Sequence, residues 1–405
     1  MTDIKENANE ILTRLYYKGI KPLIVEEENY AYIRDPILGI KRNRVIAEVV
    51  KAMIRLKLES DENIIDKFCN FLKKNQNKDG SWNEIHPNYN HPSALITSIV
   101  GEALLMNYKK SPSNDLERTI RDAGHFVLSQ EKSPGYFLKS IQKTADHLNV
   151  DATCGAFLVA YGKEFSEEKT IETARRVAKH IHEYQLTDGS FPYTVTKGNY
   201  TYLFDIACIH YQGVTLFYLS KINEVIKEEW LKNSLKSGAK WLSNVQMDDG
   251  RFDWSKSGLI FSYYLSGAYA FAFSSFLYTS KWDKKYLENA NLCLDVLKRN
   301  IHHIVLRWER DSWKTFPKSF NGVLKTALLG NYPLKHRVFR FGYGLYRQIA
   351  RRRFSDQIDE RFFKNLTNLL KIESSTIEPF NNYPDLFMTS EVLDCLSYSL
   401  SNSVC

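Results

Sequence analysis

The sequence predicts an all-α protein with the architecture of an α/α toroid, in which helical hairpins build an inner and an outer ring of helices. Two observations predict this fold. A short phrase with a Gln, a Gly and an aromatic residue recurs, and its glycines stand at 80, 135, 189 and 250, in steps of 55, 54 and 61 residues. Between the turns, a helix with one polar face alternates with a helix that is apolar all round, and these two kinds belong outside and inside.

The recurring phrase predicts a helix that ends in a tight turn. Gly can adopt the left-handed conformation that ends a helix, and a Gln amide can bind backbone groups left unpaired there. We therefore interpret the phrase as structural. Its clear copies are FLKKNQNKDGSW (71–82), HIHEYQLTDGSF (180–191) and WLSNVQMDDGRF (241–252), and a looser copy is FVLSQEKSPGYF (126–137).

The helices can be assigned in order from hydrophobic periodicity and from helix-capping residues. Ser60-Asp61-Glu62 is a helix-start signal, and Pro92-Ser93 opens an apolar helix. An extended lead-in is expected at 24–41, where aromatic residues accompany Pro36 and Gly39. The expected helices cover 7–23, 42–58, 61–76, 92–108, 113–130, 149–162, 166–185, 204–221, 223–246, 257–278, 281–301, 357–372 and 390–401.

These elements predict a helical lead-in, residues 1–59, packed on a six-hairpin toroid of residues 60–405. Within the toroid, 60–280 carry the repeats, and 281–405 are divergent and basic. The basic, aromatic segment 335–353 is open to three interpretations: a solvated outer helix, a surface that faces an anionic ligand, or an RNA-binding surface, for which no recognition module accompanies it. The apolar stretch from Gly258 to Tyr278 has about the length of a membrane span. We expect it to be a buried inner helix, and a peripheral membrane contact stays open.

Composition excludes several classes of protein. The 405 residues are 43% hydrophobic and 25% charged, which is typical of a globular chain with a large core. The net charge of +8 is diffuse, so no nucleic-acid partner is expected. The charged N-terminus has no apolar signal core, and the six cysteines have no CxxC spacing. Both features favour a cytoplasmic protein with free thiols.

The phrase resembles the QW motif of the terpenoid cyclase and protein prenyltransferase superfamily, over about residues 60–280. That resemblance implies a toroid with a central cavity. It also implies a proton-donor role for Asp151, within Asn149-Val150-Asp151-Ala152-Thr153-Cys154, although the flanking acids of the cyclase motif are missing. The alternative is that Asp151 only caps the N-terminus of its helix. Asp205, Cys208 and His210 have the residue types of a prenyltransferase zinc site. On one helix they would point in different directions, so we predict no metal and no cofactor.

Residues 188–193 (DGSFPY), followed by Asp205 and His210, are similar to small toroid proteins of surface-polysaccharide synthesis. That resemblance implies a sugar substrate. Loops after the turns would bring carboxylates, imidazoles and aromatic rings to one rim, where sugar hydroxyls need hydrogen bonds and acid–base catalysis needs paired groups. Glu102, inside an apolar helix, becomes a catalytic candidate if burial raises its pKa. The alternative is that it pairs with a Lys, Arg or Tyr. The catalytic candidates are Asp205, His210, Asp151, His91 and Glu102, and the substrate-binding candidates are Tyr89, His147, Tyr193, Tyr202 and Trp254.

The leading hypothesis is a carbohydrate-active or surface-polysaccharide biosynthesis enzyme that acts on a small-molecule or oligosaccharide substrate by acid–base chemistry. One alternative is a terpenoid cyclase-like enzyme that uses Asp151, and another is a non-catalytic toroid that binds a glycan or lipid. The cavity discriminates among them. A dry aromatic cavity favours an isoprenoid, an open groove with carboxylates and His favours a glycan, and a filled centre favours binding. The oligomeric state stays open.

Overall fold

A computed structural model describes residues 2–35, 40–57, 62–86, 89–196, 198, 207–253, 256, 265–300 and 386–402. A π-helical turn, Leu15–Ile20, and a 3-10 turn, Lys21–Leu23, follow the first helix. The α-helices in these ranges are α1 Thr2–Arg14, α2 Asn43–Leu56, α3 Glu62–Lys74, α4 Ala94–Lys110, α5 Asn114–Ser129, α6 Leu148–Phe165, α7 Glu168–Glu183, α8 Ile209–Ile226, α9 Glu229–Val245, α10 Leu265–Thr279, α11 Tyr286–Asn300 and α12 Leu386–Ser401.

Short antiparallel hairpins connect some of the helices. They are β1 Ile24–Glu26 with β2 Ala31–Ile33, β3 Asn83–His86 with β4 Tyr89–Pro92, and β5 Glu131–Ser133 with β6 Tyr136–Phe137. The first hairpin occupies the expected lead-in, and the second occupies the loop expected between the first repeat turn and α4. At its end the Ser93 side chain caps α4 by accepting the Ile96 N–H.

Six described helices close an inner ring. In ring order they are α2, α4, α6, α8, α10 and α12, each packed against the next, and α12 packs back against α2. The outer helices α3, α5, α7, α9 and α11 alternate with them along the chain, and α1 packs against α11 and α12. Helices α4, α6 and α8 are buried along most of their length, as the apolar pattern predicts. The α/α toroid is thus confirmed.

The structure places α2 inside the ring, whereas the sequence assigned it to a lead-in outside the toroid. Its charged residues Glu48 and Lys51 are 1% and 0% exposed. A charged stripe on an amphipathic helix is normally a solvated face. Here Lys51 binds carboxylates of α4 and α12, and Glu48 accepts a hydroxyl of α12, so the stripe faces the toroid interior instead.

Each clear copy of the phrase ties one outer helix to the next. The Gln amide donates to the carbonyl of the turn Gly and to a backbone carbonyl of the following outer helix, so the prediction that it binds backbone groups is confirmed. The pairs of acceptors are Gly80 and Thr119 for Gln76 (3.0 and 2.9 Å), Gly189 and Ser234 for Gln185 (2.9 and 3.0 Å), and Gly250 and Asn289 for Gln246 (both 3.3 Å).

The turn requires Gly for two reasons at Gly189. Its φ is +92°, which side chains rarely adopt, and a Cβ there would lie 2.3 Å from the Ser237 carbonyl oxygen of α9. The looser copy is braced differently. Gln130 donates to the adjacent Ser129 hydroxyl, while the Glu131 carboxylate accepts the N–H of the turn glycine at 3.0 Å.

The apolar stretch around α10 lies in the inner ring, as expected, and its described residues 267–277 are buried. None of the described helices has both the length and the apolar character needed to cross a membrane. The basic segment 335–353 and the expected helix at 357–372 lie outside the described residues.

Candidate active site on the toroid axis

Charged side chains from four inner helices meet inside the ring. Among the described residues they number four cations and four anions, and ion pairs connect α4 with α8 across the interior. All of these side chains are at most 14% exposed. We call them the axis cluster: Arg44, Glu48, Lys51 and Arg55 of α2, Glu102 of α4, Lys221 of α8, and Glu391 and Asp394 of α12.

Glu102 lies at the centre of the axis cluster. Lys51 Nζ is 3.1 Å from its carboxylate and 2.6 Å from that of Asp394, and Lys221 also forms an ion pair with Glu102. Burial alone raises the pKa of Glu102, but Lys221, Lys51 and Arg55 outweigh it and hold the pKa well below its usual range. The shift is opposite to the one that would make Glu102 a proton donor, because this carboxylate stays ionised at neutral pH.

An imidazole joins the charged groups at the end of the axis cluster that lies near the inner-helix N-termini. Arg44 binds the carboxylates of Glu48, at 2.7 Å, and Glu391. His210 Nε2 lies 4.0 Å from Glu391 Oε2, and the Ser390 hydroxyl donates to Glu48 at 2.6 Å. Burial raises the pKa of Glu48, against the opposing effect of Arg44. We call His210, Glu391, Arg44 and Glu48 the rim site.

A row of aromatic rings leads from the rim loops to the rim site. Ring centroids of His147 and Tyr193 are 5.2 Å apart, those of Tyr193 and Tyr211 are 4.6 Å apart, and those of Tyr211 and His210 are 4.9 Å apart. On its inner side His210 meets Phe271 edge to face. The structure therefore brings three of the sequence-predicted residues, His147, Tyr193 and His210, into one region.

His147 in this row is held as a neutral ring. Its Nδ1 lies 2.7 Å from the Ala145 carbonyl oxygen, which can only accept, so Nδ1 carries the proton. Burial lowers the pKa of His147 to about 3, with Lys139 acting in the same direction. A neutral imidazole with an edge-on Tyr is suited to hydrogen-bonding or stacking with a neutral ligand.

Asp151 does not face the axis. Its Oδ1 accepts the Phe137 N–H at 2.7 Å, and Asp146 and His180 of the outer helix α7 lie beside it. In each of the other repeats, the backbone N–H of the aromatic residue after the turn glycine also donates to a side chain early in the next inner helix. Those pairs are Trp82 with Thr97 Oγ1, Phe191 with Gln212 Oε1, and Phe252 with Tyr269 Oη. Asp151 therefore fills a structural position that all four repeats share.

Of the other residues that the sequence predicted for the site, the structure describes only some. Asp205, Tyr202 and Trp254 lie outside the described residues. Tyr89 is described only through its backbone, which pairs with His86 in the second hairpin. His91 is half-buried in β4, opposite Glu84.

Sequence reasoning missed Arg44, Glu48 and Glu391 of the rim site. Arg44 and Glu48 lie on a helix that was expected outside the ring. Glu391 meets Arg44 only because α12 closes the ring against α2. A weak signal was present, because Glu48, Lys51 and Arg55 follow one another at helical spacing, as do Glu391 and Asp394 in an otherwise apolar helix.

A cavity lies at the opposite, C-terminal end of the inner helices. Its volume is about 250 Å³. The aromatic part of its wall is Phe217, Tyr278 and Tyr398, and the rest includes serine hydroxyls, two lysines, a leucine and an asparagine. Next to it, burial lowers the pKa of Lys221 to about 8.

No protein-family model matches the sequence, and a search of curated proteins returns no match. Solved structures do match the fold. A cellobiose 2-epimerase from Bacillus thermoamylovorans has a TM-score of 0.57 at 10% identity, covering 72% of this chain and 87% of its own. A sugar epimerase from a ruminal bacterium has a TM-score of 0.56 at 14% identity, covering 72% and 86%. A heparin-specific unsaturated glucuronyl hydrolase has 0.52 at 14%, covering 74% and 84%.

At these identities the likeness establishes the toroid fold alone. It does not single out the terpenoid cyclase superfamily that the repeated phrase resembles.

Proposed function

We propose that the protein is an enzyme that acts on a sugar by acid–base chemistry at the rim site. The observation that carries this proposal is the convergence of His210, Glu391, Arg44 and Glu48 at one end of the axis, beside a row of aromatic rings. An imidazole paired with a carboxylate is suited to proton transfer near neutral pH. The similar structures include sugar epimerases and a glucuronyl hydrolase, and they support a sugar substrate.

Each rim-site residue has a role in this proposal. His210 moves the proton to or from the substrate. Glu391 positions the imidazole and stabilises its charged form, and Arg44 binds Glu391 and fixes its orientation. Glu48 binds Arg44 as well, and it holds that guanidinium in place beside Glu391. Tyr193 and Tyr211 offer ring faces on which the CH face of a sugar can stack.

The proposed reaction is proton transfer at a sugar carbon, as in epimerisation or isomerisation, in preference to hydrolysis. Hydrolysis requires a protonated carboxyl and a second carboxylate on opposite sides of the glycosidic bond. Glu102 and Asp394 do not fit that requirement, because neighbouring cations outweigh burial and lower the pKa of each. Glu48 and Glu391 do not fit it either, because both bind the Arg44 guanidinium, so a cation and not a glycosidic bond lies between them. An imidazole that exchanges protons between substrate and solvent needs no such pair.

Two further details belong to the proposal. The local resemblance of 188–193, with Asp205 and His210, extends it to sugar precursors of surface polysaccharides. The proposal also keeps a cytoplasmic location, and the five described cysteines, all free thiols, support it.

The test is solvent-deuterium exchange into the sugar. The purified protein is incubated in D₂O with a panel of reducing mono- and disaccharides and uronic acids, and NMR and mass spectrometry follow deuterium at each carbon. We expect exchange at one carbon and a loss of about 100-fold or more in His210→Ala. His125→Ala is the matched control, because His125 is exposed on the outer helix α5. Hydrolysis without exchange, or full activity in His210→Ala, contradicts the assignment.

A non-catalytic binding toroid is the second candidate, and the paired axis cluster favours it. The charges fill the axis, and the cavity of about 250 Å³ at the opposite end could hold a small ligand. Thermal-shift assays separate the two functions. Stabilisation by a sugar without exchange or turnover favours binding.

The isoprenoid alternative has less support, because an axis of charged side chains is a poor environment for a hydrocarbon chain. A shift with prenyl diphosphates alone would restore it.

A further inference from the structure

A second cluster of ionisable groups lies in the wall between the two rings. It contains Asp146 in the loop before α6, Asp151 in α6 and His180 in α7, and one ligand atom from each lies within 4.8 Å of the others. His180 Nε2 is 2.9 Å from Asp146 Oδ2. Asp146 and Asp151 are 1% and 0% exposed. One helical turn after Asp151, Gly155 packs against Val177 of α7, so this face of α6 is turned towards the outer ring.

Two buried oxygen atoms in this wall cluster receive no hydrogen bond. Asp146 Oδ1 and Asp151 Oδ2 have no donor among the described groups, and the two carboxyl groups approach each other within 4.8 Å. Carboxylate oxygens only accept, so two ionised groups cannot satisfy each other. Burying them without compensation is costly. A positively charged species between them, either a metal ion or a shared proton, resolves the conflict.

The fold itself does not require the second carboxylate. Asp151 accepts a backbone N–H through one oxygen, and in the other three repeats neutral side chains do the same, namely Thr97, Gln212 and Tyr269. A neutral acceptor is therefore sufficient for the structural position. The placement of Asp146 and His180 beside the second oxygen of Asp151 calls for a different explanation.

We propose that Asp146, Asp151 and His180 bind a divalent transition-metal ion of the Zn²⁺ type. In a tetrahedral zinc site with bonds of about 2.1 Å, ligand atoms lie about 3.4 Å apart. The observed ligand atoms, separated by 2.9 Å at one contact and by no more than 4.8 Å, bracket that spacing. Imidazole favours Zn²⁺ over Mg²⁺ and Ca²⁺, which prefer oxygen ligands alone. The ion would join α6, α7 and the intervening rim loop.

The ligands are held in place before an ion arrives. The Asp146 N–H donates to Thr196 Oγ1 at 3.0 Å, and the Asp146 carbonyl accepts the Val195 N–H at 3.1 Å. The His180 ring meets the edge of Tyr184 at 5.0 Å. Preorganised ligands lose little conformational entropy on binding. Because the cluster faces the outer ring and the rim site lies on the axis, this proposal does not depend on the proposed enzymatic function.

The test measures Zn²⁺ binding by the full chain. The protein is purified without a metal-affinity tag, treated with EDTA, desalted, and titrated with ZnCl₂, with MgCl₂ in parallel. Bound metal is counted by mass spectrometry, and the melting temperature is recorded. We expect one Zn²⁺ per chain, a higher melting temperature with Zn²⁺ and no rise with Mg²⁺. Asp146→Asn and His180→Gln should each weaken Zn²⁺ binding at least about tenfold. Loss of a group that only supports a metal ligand already weakens metal binding by about 10–100-fold, so loss of a ligand should cost at least as much.

Two controls keep the result interpretable. His125→Gln removes an exposed imidazole of α5 and should bind Zn²⁺ like the unaltered protein. Asp151→Asn retains an oxygen for the Phe137 N–H, so it separates the loss of a metal ligand from the loss of that backbone contact, and it should weaken Zn²⁺ binding as the other two ligand variants do. Absence of Zn²⁺ binding by the unaltered protein overturns the proposal, whatever the variants do. Equal binding by Asp146→Asn, His180→Gln and His125→Gln overturns it as well. A shared proton would then explain the pair, and Asp146→Asn would melt at or above the unaltered temperature.

Discussion

Removing the cation at the middle of the axis cluster should be the most damaging single change in the described part of the inner ring. Lys51 is 0% exposed and binds two buried carboxylates, Glu102 at 3.1 Å and Asp394 at 2.6 Å. Lys51→Met keeps most of the apolar stem and deletes only the charge. Breaking a buried ion pair from one side costs about 3–5 kcal/mol, because the remaining charge is left buried without compensation. We expect a loss of that size in the free energy of unfolding.

The matched control is Lys73→Met. Lys73 pairs with Asp115 at 2.9 Å, but its partner is 56% exposed, so the loss should stay within about 1 kcal/mol. Urea unfolding followed by circular dichroism at pH 7 measures both. If Lys51→Met loses no more free energy of unfolding than Lys73→Met, the two buried carboxylates do not need the charge of Lys51. That result would refute the reasoning.

The pH dependence of Lys51→Met provides a second check. Burial raises the pKa of Glu102 and of Asp394, but the surrounding cations outweigh it and lower both values. Carboxylates with lowered folded-state pKa values stabilise the fold above their ordinary pKa, and that stability is lost as the pH falls through the folded-state values. Without Lys51 both pKa values rise. The deficit of the variant should therefore be largest near pH 7 and should shrink below about pH 4.

Three further outcomes follow from the turns and the buried thiols. Gly189→Ala should lower the free energy of unfolding by at least about 1–2 kcal/mol in urea titrations, because its φ of +92° is left-handed and the new Cβ would meet the Ser237 carbonyl. Gln185→Ala should lower the free energy of unfolding by about 1–3 kcal/mol, because it loses two hydrogen bonds to backbone carbonyls. Gln130→Ala should lower it by less than about 0.5 kcal/mol, because its amide binds only a neighbouring hydroxyl. Equal losses would contradict the role of Gln185 in joining two outer helices. Burial raises the pKa of Cys69 to about 12, so a thiol reagent at pH 8 should label it only after unfolding, and rapid labelling of the native protein would contradict its burial.

The fold could be predicted from the sequence because its signals are local. The phrase with Gln, Gly and an aromatic residue fixes where outer helices end, and the structure shows the same contacts in three copies. Apolar helices such as α4 and α6 have no polar face to present to solvent, so they must lie inside. The periodicity of these elements does not depend on which distant residue they meet.

The candidate site could be predicted only in part. His147, Tyr193 and His210 come together because they follow successive turns of the repeat, and the repeat was visible. The partners of His210 were not visible, because Arg44 and Glu391 lie near opposite ends of the chain and meet only when the ring closes. The role of Asp151 was ambiguous for a related reason. Periodicity places it early in an inner helix, but not on the face that meets α7.

The sequence by itself thus determined a toroid of alternating helices, since turn chemistry and hydrophobic periodicity act over a few residues. Only the tertiary structure decided which charged faces turn inward. Glu48 and Lys51 of α2 have the pattern of a solvated stripe, and both are buried on the axis. There Lys51 meets the carboxylates of Glu102 and Asp394 from α4 and α12, and Glu48 binds Arg44 and accepts the Ser390 hydroxyl of α12. The same reason applies to Asp146, Asp151 and His180, which belong to three separate elements and form a cluster only where the inner and outer rings pack.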